Sequence, residues 1–82
     1  MTLELYKEVA LTQDLPEHQL QIGDVATLVD FVPHPGDGEE GCVLEVFNAV
    51  GEAIAVVIVP ISAVKALQAN EILSIRPLAS AS

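Results

Sequence analysis

Eighty-two residues carrying twelve acids against Lys7, Lys65 and Arg76, a formal net charge of −9, make a single small acidic domain. Three scattered cations hold neither a phosphate backbone nor an anionic membrane surface, so no nucleic-acid and no membrane partner is expected. Apolar residues still make up 51% of the chain, more than so small a monomer readily hides. The excess points to a protein–protein surface, most simply a self-association surface.

Cys42 is the single cysteine, so no intrachain disulfide is available. The opening MTLELYKEV lacks a basic stretch followed by an apolar one, which reads against a secretory signal. Ala53 to Val64 is free of charge, but it spans only 12 residues and holds Pro60. A membrane-crossing helix needs about 20 apolar residues. A soluble cytoplasmic protein is expected.

Along the chain, ELYKEVALT (4–12) sets Leu5, Lys7, Val9 and Leu11 on one face and Tyr6, Glu8 and Ala10 on the other, a half-exposed strand. Asp14 and Pro16 then interrupt the pattern, and Gly23 beside Asp24 marks a turn. Leu15, Leu20 and Ile22 are expected to tuck inward from this loop. DVATLVDFV (24–32) reads as a second strand, with Asp24 and Asp30 on the alternate face shared by Ala26 and Leu28. PHPGDGEEG, with two prolines, three glycines and three acids, predicts an exposed mobile loop.

CVLEVFN (42–48) alternates with Glu45 outward, a third strand. Asn48-Ala49-Val50-Gly51 has Asn first and Gly fourth, the chemistry of a type I turn whose Gly takes the left-handed backbone. CVLEVF and EAIAVVIV are therefore expected to be two arms of a hairpin. The second arm is wholly apolar from Ala53 to Val59, as in strands covered on both faces. The core covers one face, and a small barrel has no second layer to cover the other. A short helical turn near 60–66 follows, with a helix over 61–69 in a two-layer α+β fold as the alternative. EILSIRP (71–77) alternates and reads as a closing strand, and 79–82 is a frayed tail on a domain spanning 1–78. The fold class expected is all-β: a small, strongly bent antiparallel barrel of five to six strands.

LQIGDVATLV resembles the opening strand of SH3-like barrels, including the KOW type. LYKEVALTQDLPEHQLQIGDVATLVD, EVFNAVGEAIAVV and ILSIRPL together resemble a family of short bacterial proteins known as a domain of unknown function, sharing the Tyr-x-x-Val-x-Leu start, the Asp-Leu-Pro loop and the Phe-Asn-x-x-Gly-Glu hairpin. The likeness runs from Leu5 to Leu78, apart from the loop Pro33 to Gly41. It implies an SH3-like fold and a bacterial source, and it brings no catalytic residues. Genes of this kind are sometimes found in two-gene cassettes, which implies a protein partner. KOW-type modules touch RNA through basic loops, whereas the matching loop here reads HPGDGEE and repels phosphate, so that function does not carry over.

The remaining constellations are weak. His18, His34 and Cys42 are too few and too far apart for structural zinc, and the acids of the loop show no calcium-loop spacing. Cys42 with His34 has the residue types of a nucleophile and base, yet a lone cysteine at a strand start is expected to be a small buried apolar residue. GDGEEG has glycines without a lysine to hold phosphate. No enzyme activity, metal or cofactor is expected.

The chain therefore reads as an interaction module that self-associates through Ile54, Val56, Val57 and Ile58. The alternative is an acidic inhibitor or antitoxin-like chain that uses Asp37, Glu39 and Glu40 to occupy a basic protein encoded nearby. Gly23, Asp24, Asn48 and Gly51 are assigned to turns. Glu52 is left to pair with Lys7 or Lys65, or to face a partner.

Overall fold

Residues 3–33 and 38–78 are described by a computed structural model. Among these residues five strands form: β1 (Glu8–Leu11), β2 (Val25–Val32), β3 (Gly41–Phe47), β4 (Ala53–Pro60) and β5 (Val64–Ala66). They make one antiparallel sheet in the order β4-β3-β2-β1-β5. The expected β content and strand number are met. The sheet does not close on itself by strand pairing, since β4 and β5 are its two edges.

β1 starts later than the alternation of 4–12 predicts. Tyr6 adopts a left-handed backbone at φ 66°, so although the Tyr6 amide and the Lys7 carbonyl still bond Leu28, the regular ladder begins only at Glu8. From β1 the chain enters a long connection with a 3-10 turn at Pro16–His18, and Leu15 and Leu20 fold back into the core as expected. Ile22 does not: it is exposed, because Gly23 turns the chain at φ 90° immediately after it.

β2 and β3 pair with Leu28 opposite Leu44, after which the register slips by one residue at Val29. This bulge inverts the alternation. Ala26 and Leu28 point into the core before it and Phe31 packs against the core after it, so Asp30 ends up exposed instead of following Ala26 and Leu28 inward.

The hairpin forms as the turn chemistry predicts. The amide of Gly51, at φ 85°, donates to the carbonyl of Asn48 at 3.0 Å, and the Asn48 side-chain oxygen accepts from the amides of Val50 (3.1 Å) and Glu52 (2.9 Å). β4 then runs antiparallel to β3, and a 3-10 turn at Ile61–Ala63 leads into β5, which pairs with β1. The short helical turn is present and no helix covers 61–69.

The closing strand is therefore Val64–Ala66, not 71–77. Residues 67–78 carry no strand, although Ile72, Ser74 and Arg76 alternate with Leu73 and Ile75 as one would. β1 already has β2 on one side and β5 on the other, and the three residues of β5 offer little edge for a further strand. A turn at Gln68–Glu71 then redirects the chain.

The core is aliphatic. Val9, Leu28, Cys42, Leu44 and Val59 are its largest fully buried members, and among the described residues no polar or charged side chain is buried. Among the same residues no helix is long and apolar enough to cross a membrane.

Candidate functional site

Beyond a bulge at Ile54, strand β4 separates its side chains by parity. Val57 (7% exposed) and Val59 point into the core, across from Leu44 and Cys42. Ile54, Val56 and Ile58 point the other way and remain 45%, 66% and 59% exposed. Three of the four expected interface residues thus share an open face, and Val57 is withdrawn from it because pleating sends successive residues to opposite sides.

The open face continues onto β3 and β2. Val43 stands opposite Ile58 and Glu45 opposite Val56, so these pairs share one side of the sheet. Phe47, opposite Ala53, adds an exposed ring near the turn, and Val32 extends the face beyond Gly41. Sequence reasoning missed Phe47 and Val32. The signal for Phe47 was its shared parity with Val43 and Glu45. For Val32 there was none, because the bulge in β2 resets the count.

Two features make this face unusual for an exposed surface. On β4 it is wholly aliphatic; its acids are Glu45 of β3, half-buried at its middle, and Asp30 of β2, exposed opposite Val43. It also lies on an edge strand: among the described residues nothing pairs with the outer side of β4. Edge strands ordinarily carry lysines, inward charges or prolines that discourage further pairing. From Ala53 to Val59 there is no such residue, and Pro60 stands only at the end.

At the Pro60 end the face opens into a groove of about 450 Å³ bordered by Val32, Gly41, Ile58, Pro60 and Glu39. Glu39 and Glu40 of the expected acidic loop are exposed here. The Glu39 carboxylate accepts from the Ser62 hydroxyl at 2.7 Å, and the Glu40 carbonyl accepts from the amide of Ile61 at 2.9 Å. Asp37, the third acid assigned to this loop, lies outside the described residues, as does His34. Cys42 is fully buried, and burial, helped by the charge of Glu40, pushes its thiol above the ordinary range, the reverse of an activated nucleophile.

The turn residues serve structure. Gly51 and Asn48 close the hairpin, and Glu52 is accounted for there as well, accepting from the Asn48 side-chain amide at 2.8 Å. Asp24 accepts the amide of Gln21 at 2.8 Å and receives Arg76 through two guanidinium nitrogens, Nε to Oδ1 at 2.9 Å and Nη2 to Oδ2. Arg76 Nη2 also donates to the carbonyl of Gln19 at 3.3 Å. Burial alone would raise the Asp24 carboxyl, but the Arg76 hydrogen bonds and charge and the Gln21 amide outweigh it and hold the carboxyl below its ordinary value. Lys65 pairs with Glu71 nearby. These two ion pairs fasten the segment after β5, which borders a second groove of about 490 Å³ lined in part by Thr12, Ile22, Lys65 and Glu71. Among the described residues no three His, Cys, Asp or Glu side chains gather into a metal-binding group.

These features define a small all-β unit: one five-stranded antiparallel sheet with an open aliphatic face at its β4 edge. The chain belongs to the family described as Domain of unknown function (DUF4926), whose model matches residues 5–66. The matched range ends on the last residue of β5, so the family unit is the sheet, and ILSIRPL lies outside it. No curated protein and no solved structure matches the chain.

Proposed function

We propose that this chain is a non-enzymatic protein–protein interaction module with an SH3-like sheet, and that it self-associates through the outer face of β4. The observation that carries the reading is the exposure of Ile54, Val56 and Ile58 on an uncharged edge strand. Fully burying an aliphatic side chain of this size is worth about 1.5–3 kcal/mol, so covering three that are roughly half exposed supplies several kcal/mol per protomer. An acidic chain that must stay in solution would not otherwise keep these side chains together.

The fold reading is supported by order and connection. The sequence β4-β3-β2-β1-β5, a long β1–β2 connection, a tight β3–β4 hairpin and a 3-10 turn ahead of β5 resemble the SH3-like arrangement. One buried, unbridged cysteine suits a reducing compartment, and the proposal extends to a bacterial cytoplasm.

A second reading draws on Glu39 and Glu40, exposed beside the groove at Pro60: docking to a basic protein, as an inhibitor or antitoxin-like chain would. The two readings respond oppositely to salt. An apolar contact between chains of net charge −9 tightens as ionic strength rises, because screening removes their mutual repulsion. Acidic-loop docking to a basic protein weakens. Light scattering of the purified chain at low and high salt, alongside Val56→Asp, tests the first reading. A species larger than one chain that falls to monomer in the variant is expected. A monomer at every concentration would reject it.

A further inference from the structure

We propose that the second copy docks edge to edge, its β4 antiparallel to the first β4 about a twofold axis at Val56, joining two five-stranded sheets into one of ten strands. This rests on the self-association reading and specifies its geometry.

The first argument is the symmetry of the strand itself. A twofold interface is isologous: if residue i meets j, then j meets i. The uncharged run Ala53–Val59 has Val56 at its centre, and its outward residues read Ile54, Val56, Ile58, the same in either direction. Pairing about Val56 sets Ile54 across from Ile58 of the second copy and Val56 across from its own counterpart, all on the open face. On the core side Val57 falls across from Ala55. The bulge at Ile54, which sets Ala53 opposite Phe47, and Pro60, with no amide to donate, bound the ladder at its two ends.

The second argument is charge. The chain carries −9, so two copies repel except where their surfaces are neutral, and β4 is the neutral stretch. The exceptions on the open face are Asp30, opposite Val43, and Glu45, directly opposite Val56. Stacking the two faces would press these carboxylates against aliphatic side chains or against their own copies, with heavy desolvation cost. Edge pairing leaves them at the surface. The two Glu45 side chains then lie three strand spacings apart, about 14 Å, beyond a Debye length of about 8 Å at physiological salt. The charge pattern therefore selects edge over face.

The register gives a disulfide test, with the buried Cys42 left in place. Each of Ile54→Cys, Val56→Cys and Ile58→Cys is prepared separately and oxidised gently, after light scattering has fixed its association state. Opposed residues of an antiparallel pair stand about 4.5–5.5 Å apart, close enough for a disulfide once the strands adjust. Val56→Cys is expected to double its mass on a non-reducing gel, and so is a mixture of Ile54→Cys with Ile58→Cys. Ile54→Cys alone is expected to stay single, because its copies lie four residues apart along the ladder, about 13 Å. Self-linking of Ile54→Cys as fast as Val56→Cys, or a dimer that links at none of these positions, overturns the edge geometry and leaves self-association standing. A monomer in light scattering overturns both.

Discussion

Arg76 grips Asp24 across a sequence separation of 52 residues and reaches the carbonyl of Gln19 with the same guanidinium. Residues 67–78, which carry no strand, are thereby tied to the turn that launches β2. Their apolar side chains do little of this work: Ile72 and Ile75 are 93% and 90% exposed.

The pair predicts a pH dependence. The folded Asp24 carboxyl titrates below its ordinary 3.8, so its contribution is present above that value and is lost as pH falls through the lowered folded value. Arg76→Gln is expected to cost about 1 kcal/mol at neutral pH, since the pair is only partly shielded from water. The gap between the two proteins should close in acid. Urea unfolding of both at pH 7 and in acid measures it, and an equal gap at both would show that Arg76 acts without Asp24.

At the hairpin tip, one Asn48 side chain serves the amides of Val50 and Glu52 and the carboxylate of Glu52. Asn48→Ala is expected to cost about 1–2 kcal/mol through two amides left without their acceptor. Gly51→Ala is expected to cost about 1–2 kcal/mol from its left-handed backbone, with no clash, since nothing lies within 4 Å of the added carbon. Each kcal/mol lowers Tm by about 4–8 °C in a domain of this size, readable by thermal unfolding.

Neighbouring valines of β4 should behave in opposite ways. Val57→Asp buries a carboxylate in an aliphatic core and is expected to cost several kcal/mol, enough to unfold much of the protein. Val56→Asp projects into solvent beside Glu45 and should cost about 1 kcal/mol or less, leaving the chain folded while abolishing association. Circular dichroism with size-exclusion chromatography separates the two outcomes. Association that survives Val56→Asp would move the interface elsewhere.

Cys42 should ignore thiol reagents until the chain opens. Its sulfur is fully buried and its thiol is pushed upward. Labelling at mildly alkaline pH is expected to follow the unfolding equilibrium, and fast labelling of the native protein would contradict the packing around Leu44 and Val59.

The central strands were legible because local signals agreed there. Leu44 and Val46 alternate with Glu45, and Asn48 and Gly51 supply the turn that fixes β3 against β4. The orientation of β4 was not legible, since a run of seven apolar residues carries no parity; pairing with β3 decides that Val57 goes in and Val56 out. Residues 71–77 misled for a related reason. Alternation reports what a segment would tolerate in a sheet, and the partner it needs is a property of the whole fold. Asp30 was misassigned through a single extra residue at Val29, which no local pattern announces. Of the candidate site, Ile54, Val56 and Ile58 were visible in the sequence, while Phe47 and Val32 joined them only through register.

The most direct test of the account is light scattering behind size-exclusion chromatography, on the unaltered chain and Val56→Asp, across a wide dilution range at low and high salt. The account predicts a dimer that persists on dilution, tightens with salt and becomes a folded monomer in the variant. A monomer at every concentration and salt level would contradict it.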